Sequence, residues 1–304
     1  MSIIGRVNAR QAIRLLFFPF LFGVFLACSP RPTEQPFPSP WPAQLPRPSP
    51  PQPAQPTASA PPTAAPSPIS LSCLQQPGEL VTGEVPTPIR PTVYIVYLPP
   101  CYGHFPERRY PLLYLLHGQT YTADQWVRLG APEVADRLIR SGSVPPFLMV
   151  FPEDRYWNLQ VGLRFGEYLL HDVMPEVEQR FRVHGDRRFR AIGGLSRGGG
   201  WAFQLGLARP DLFSAIGLHS PAIFDADRVT FERRLQQIPP ELWPRIYFDI
   251  GESDRERSFA LHLEQVLSRY QFPHEWHLNL GAHDETYWRA HVEAYLKWYA
   301  STWR

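Results

Sequence analysis

The sequence is poor in cysteine (three), methionine (three) and lysine, with Lys297 alone among 30 basic residues. The lysine bias carries no functional weight, because genome composition explains it as readily as function. Three cysteines are too few for a cysteine-rich scaffold. The longest apolar run, residues 15–27, is short of the roughly 20 residues that a spanning helix needs. No internal repeat is evident, and neither G-x-x-x-x-G-K-[ST] nor G-x-G-x-x-G occurs, so the glycine loops that cradle nucleotide phosphates are missing. Charge of one sign is lacking as well. The first 70 residues carry five arginines (Arg6, Arg10, Arg14, Arg31, Arg47) and one acid, Glu34, which leaves 25 basic and 27 acidic residues beyond them. A near-neutral body gives no electrostatic case for nucleic acid.

Proline, by contrast, is abundant. There are 36, about 12% of the chain against roughly 5% on average, and 16 of them fall between Ser29 and Ser70. Such a tract has no apolar face to bury and favours extended, solvated polyproline II at about 3.1 Å per residue. It reads as a linker over 29–70, either a semi-rigid tether or a disordered spacer. Before it, Arg6, Arg10 and Arg14 precede the apolar run that ends at Ala27-Cys28, the pattern of a secretory signal over 1–28. Leu26-Ala27-Cys28 resembles the lipobox of bacterial lipoproteins, in which the cysteine becomes the lipidated first residue; an ordinary cleaved signal is the alternative. The expected location is therefore the cell envelope or the exterior, with a membrane anchor at Cys28. Export also suits Cys73 and Cys101, an even pair that forms either a disulfide or two buried thiols.

Residues 71–304 are long enough for one α/β domain. Apolar runs bounded by proline and glycine predict strands at Thr92–Leu98, Leu112–Leu116, 147–151, 189–192, 215–218, 246–250 and 276–280. Helical periodicity is expected over 133–141, 166–181, 199–208, 231–237, 257–270 and 286–299. Strands separated by helices imply a mostly parallel central sheet with helices on both faces, and chemistry at the carboxyl ends of its strands.

The residues just past each strand are therefore the informative ones. Gly194-Leu195-Ser196-Arg197-Gly198, between a strand and a helix, fits a nucleophile elbow. The two glycines permit strand and helix backbones to approach, the serine projects above the sheet, and the next residue's N–H points where an oxyanion forms. A glycine-rich turn with a capping serine is the plainer alternative. A serine nucleophile needs a base, and the base an orienting acid. Asp254 and His283 lie in later post-strand loops and complete the chain order Ser, acid, His. Glu252 competes with Asp254, whereas Asp249 lies within a strand pattern and Asp284 adjoins His283. His171 and His262 lie in helical patterns, while His274 and His277 border or occupy a strand.

From about Val93 to the C-terminus the chain resembles the α/β-hydrolase esterase family that holds feruloyl esterases, acetylxylan esterases, S-formylglutathione hydrolases and bacterial mycolyltransferases. The resemblance rests on Tyr97-Leu98-Pro99-Pro100-Cys101-Tyr102, Tyr110-Pro111-Leu112-Leu113-Tyr114-Leu115-Leu116-His117-Gly118, Gly193-Gly194-Leu195-Ser196-Arg197-Gly198-Gly199 and Gly281-Ala282-His283-Asp284-Glu285-Thr286-Tyr287-Trp288-Arg289. It departs at Ala282, where the family usually has glycine, and no carbohydrate-binding module is added. The resemblance implies an α/β-hydrolase fold with Ser196 as nucleophile, His283 as base and then acid, and Asp254 as orienting carboxylate. The amides of Arg197 and Gln119 would form the oxyanion hole. Aromatic Trp126, Tyr156 and Trp157 are candidates to line an acyl or sugar pocket, and Trp288 to buttress the His283 loop. The implied activity is hydrolysis of an ester, carbohydrate-linked on this reading, through an acyl-enzyme without cofactor or metal. Acyl transfer to another alcohol, or a tethered binding module without turnover, are the competing classes.

Overall fold

The computed structural model describes residues 72–86, 91–155 and 164–303. The signal, Cys28, the proline-rich linker, Tyr156 and Trp157 lie outside the described residues.

Among the described residues, eight strands form one sheet: β1 (Glu79–Val85), β2 (Thr92–Leu98), β3 (Leu112–Leu116), β4 (Leu148–Pro152), β5 (Arg190–Leu195), β6 (Ala215–His219), β7 (Arg245–Gly251) and β8 (His274–Asn279). Their spatial order is β1-β2-β4-β3-β5-β6-β7-β8. Pairings of β1 with β2 and β2 with β4 are antiparallel, and every pairing from β4 to β8 is parallel. The helices are α1 (Gln125–Arg128), α2 (Ala131–Arg140), α3 (Phe165–Tyr168), α4 (Met174–Arg180), α5 (Arg197–Ala208), α6 (Asp225–Arg228), α7 (Phe231–Gln237), α8 (Arg257–Arg269) and α9 (Glu285–Ala300). A π-helical stretch, Leu169–Val173, joins α3 to α4, so the single helix expected over 166–181 is one continuous but locally widened element.

The pleat divides the core in two. Along β3, Leu112, Tyr114 and Leu116 point into the cluster that holds Phe165, Trp201, Phe203, Phe231 and Leu263. Leu113 and Leu115 point into the other, with Trp126, Leu138, Tyr295 and Tyr299. Strand side chains alternate between faces, so a strand apolar at every position needs cover on both. Helices α3, α4, α5, α7 and α8 supply one cover and α1, α2 and α9 the other. Cys73 and Cys101 are joined in a disulfide that ties the segment before β1 to the turn after β2.

Candidate active site

Ser196 sits between β5 and α5 with φ 52° and ψ −121°, a left-handed conformation that costs a non-glycine residue of order 1–3 kcal/mol and persists only where surroundings enforce it. Three backbone hydrogen bonds enforce it. Ser196 N–H donates to the His219 carbonyl at 3.0 Å, and the Ser196 carbonyl accepts from Gly200 N–H at 3.1 Å and Ala222 N–H at 2.9 Å. A Cβ on Gly194 would collide with the backbone of Gly198, and one on Gly198 with the carbonyl oxygens of Leu116 and His117. The glycines flanking the serine are therefore where β5, α5 and the end of β3 touch.

The turn lifts the Ser196 hydroxyl to 2.8 Å from His283 Nε2. His283 lies beyond β8 on the loop that Gly281 bends with φ 135°. Its Nδ1 lies 3.0 and 2.9 Å from the two carboxylate oxygens of Asp254. Ionised carboxylate only accepts, so Nδ1 carries the proton and Nε2 is left to accept from the serine. Asp254 Oδ1 also takes the Glu256 N–H at 2.8 Å. Burial pushes the Asp254 carboxyl up, but its hydrogen bonds from His283 and Glu256, the nearby imidazole and the Ser220 hydroxyl outweigh that and hold it below the usual carboxylate range. Trp288, 3% exposed, stands edge-on to His283 with ring centres 5.1 Å apart. Three groups from three post-strand loops thus form one hydrogen-bonded line, an arrangement able to take a proton from a hydroxyl as it attacks a carbonyl and return it to a leaving group.

The other candidate acids are not part of this line. Asp284 caps α9 by accepting the Tyr287 N–H at 2.9 Å. Buried Asp249 accepts from the hydroxyls of Tyr287 and Tyr295, each at 2.6 Å, and faces His219 Nδ1 at 3.0 Å. Glu252 is exposed on the loop after β7.

An open cleft of about 490 Å³ lies over Ser196 and His283, lined by Gly118, Gln119, Thr120, Tyr121, Arg255, Asp284, Glu285 and Trp288. Gly118 comes close enough to the serine that a Cβ there would stand 2.9 Å from Leu195 Cδ1 and 3.5 Å from Ser196 Cβ. The Gly118 N–H donates to Gln125 Oε1 at 2.8 Å. Arg197 opens α5 beside the serine, at the positive end of the helix.

Trp126 departs from its expected place. It is 1% exposed, its indole N–H donates to the Leu116 carbonyl at 3.0 Å, and its ring meets His219 and Tyr295 edge-on. It packs beneath the site and does not line the cleft. Tyr121, 37% exposed, is an accessible aromatic there. Sequence reasoning passed over it, although its place three residues after Gly118 was a usable signal. It also missed Gln125, wholly buried, whose amide bridges Gly118 and Glu285. Nothing in the spacing of a lone glutamine points to such a contact.

A sequence profile of the family described as "Putative esterase" matches residues 87–299. An endo-1,4-beta-xylanase/feruloyl esterase of Xylanibacter ruminicola is 27% identical over 211 residues, covering 65% of this chain and 28% of that protein. An uncharacterized protein of Corynebacterium glutamicum is 32% identical over 127 residues, 39% of this chain and 30% of that one. The chain thus spans less than a third of the length of either relative. Among solved structures, a ferulic acid esterase superposes with a TM-score of 0.68 at 25% identity, covering 75% of this chain and all of that one. An S-formylglutathione hydrolase from Staphylococcus aureus gives 0.62 at 18% identity, over 73% and 99% of the two chains.

Proposed function

This chain belongs to the esterase family of the α/β-hydrolase superfamily, and we propose that it is an exported serine esterase in which Ser196, His283 and Asp254 form the catalytic triad. The observation that carries the reading is the unbroken line from Ser196 Oγ through His283 to the Asp254 carboxylate at the floor of an open cleft.

In the acylation step, Ser196 Oγ attacks the ester carbonyl while its proton passes to His283 Nε2. The carbonyl oxygen becomes an oxyanion, received by the amides of Arg197 and Gln119, and His283 hands the proton to the departing alkoxide as the C–O bond breaks. Water then repeats the sequence on the acyl-enzyme and releases the acid. Gln119 is the better candidate than Gly118, whose N–H is held by Gln125. Asp254 keeps its charge throughout and stabilises the imidazolium. Resemblance to feruloyl esterases supports feruloyl or acetyl esters of polysaccharide as substrates, with Tyr121 against the acyl or sugar group. The leader and proline-rich tract of the sequence support action outside the cell from a tether.

Turnover of a chromogenic acetate ester by Ser196→Ala, shown folded, tests the mechanism. It should fall by at least about 10³-fold, and near wild-type kcat would contradict it.

A further inference from the structure

Both residues whose amides are assigned to the oxyanion hole are linked to one residue, Asp154, on the loop after β4: Gln119 through His117 and Arg197 through its own side chain. The link to Gln119 runs through His117. This imidazole is 3% exposed and has two partners. Asp154 N–H donates to its Nε2 at 2.7 Å, and its Nδ1 lies 2.8 Å from the Gly118 carbonyl oxygen. A backbone amide can only donate, so Nε2 must be bare and Nδ1 must carry the proton. The Asp154 amide therefore fixes the tautomer, and the ring donates to the Gly118 carbonyl. That carbonyl shares a peptide plane with the Gln119 N–H. In a trans peptide the two point in opposite directions, so holding the carbonyl aims the amide. Gly118 N–H, held by Gln125 Oε1, fixes the preceding peptide. On the other wall, the Asp154 carboxylate accepts Arg197 Nε–H at 2.7 Å and Trp201 Nε1–H at 3.0 Å.

We propose that His117, as the neutral Nδ1–H tautomer, is a positioning residue of the oxyanion hole: its bond to the Gly118 carbonyl aims the Gln119 amide at the site of the developing charge. Burial, its largest influence, together with the charge of Arg197, lowers the His117 pKa to about 4 despite the opposing Gly118 carbonyl and Asp124, so the ring stays neutral over the range in which an esterase works. A protonated ring would set a second N–H against that of Asp154. His117 does not exchange protons with substrate, and its contribution appears only as the carbonyl oxygen gains charge.

The inference rests on the serine-esterase reading above, and two variants separate it from a merely structural role. An asparagine amide nitrogen falls where Nδ1 stands and can donate to Gly118, whereas a glutamine amide falls where Nε2 stands and can meet only Asp154. His117→Gln should lower kcat roughly 10- to 100-fold with KM within about threefold, short of the ~10²- to 10³-fold cost of deleting a donor outright. His117→Asn should keep kcat within about fivefold of wild type. The inhibition constant of a trifluoromethyl ketone, whose hemiketal oxyanion occupies the hole, should rise in parallel with the loss of kcat. Equal losses in the two variants, each normalised to folded protein, or a folded His117→Gln with wild-type kcat and ketone affinity, would overturn the proposal. Nitrogen-15 NMR of the wild-type protein supplies a measurement independent of whether the variants fold. It should show protonated Nδ1 and bare Nε2 at His117, and the opposite tautomer would overturn it too. If wild type and Ser196→Ala turn the ester over equally, the serine-esterase reading itself fails, an outcome distinct from any at position 117.

Discussion

Asp254 shows how much one side chain settles. The sequence allowed Asp254 or Glu252 as the acid, and two residues of separation on a loop decide which carboxylate reaches His283 only once the loop is folded. Asp254→Asn should lower kcat/KM by about 10²- to 10⁴-fold, less than loss of the nucleophile, because it removes orientation and charge stabilisation but not the proton acceptor. Glu252→Gln should stay within about twofold; steady-state kinetics of the pair distinguishes them. The same carboxylate contributes to folding. Its folded pKa lies below the unfolded value, so its stabilisation is fully present above the ordinary carboxylate range and is lost as pH falls through the lowered value. The stability deficit of Asp254→Asn, read by denaturant titration, should be largest near neutral pH and shrink in acid. Tyr121 offers a third residue-level expectation: Tyr121→Ala should raise KM for a feruloyl ester severalfold more than for an acetyl ester. Ser196, Asp254 and His283 were legible because each lies on a loop after a strand and carries a recognisable chemistry. Trp126 was not, because an aromatic just after a site loop reads alike whether it faces the cleft or, as here, fills the core behind it.

Among elements, strands buried on both faces were readable within a few residues, since β2, β3 and β4 are nearly continuous apolar runs. The end of β5 was obscured by Gly193 and Gly194, which look like a turn but remain in the ladder opposite Leu115 and Leu116. Gly193 needs to be small because the Tyr299 hydroxyl lies against the sheet there, and Gly217 of β6 for the same reason. β1 escaped notice: as an edge strand it is largely exposed and interrupted by Glu79, Gly83 and Glu84, so no apolar run marks it. Gly217→Ala would drive a methyl into the Tyr299 hydroxyl, which lies 3.0 Å from His219 Nε2, and should destabilise the fold by roughly 1–3 kcal/mol, measurable as a lowered denaturation midpoint. The disulfide closes a loop with a sequence separation of 28 residues. Replacing both cysteines by serine should cost about 3–4 kcal/mol in the chain-entropy model, while leaving the kinetics of the folded fraction unchanged, since the bridge lies near β1 and not at the cleft.

At the scale of the whole molecule, our proposal is that an address, a spacer and an esterase domain succeed one another along the chain. The address is tested by feeding cells a labelled fatty acid: wild-type protein should become marked and Cys28→Ser should not, whereas label persisting in the variant would refute lipidation at that position. The hydrolytic domain stands on its own chemistry. His219, Asp249, Tyr287, Tyr295 and Tyr299 form a buried network under the site, and the His219 carbonyl holds the Ser196 amide; contacts between residues 23 to 80 positions apart leave no local trace in sequence. The central claim, that Ser196 carries the acyl group, is tested most directly by trapping it. Intact-mass analysis after exposure to a fluorophosphonate should show a single covalent adduct, located by peptide mapping to Ser196 and absent from Ser196→Ala. An unmodified protein that still hydrolyses esters, or an adduct on another residue with activity lost in step, would contradict the account.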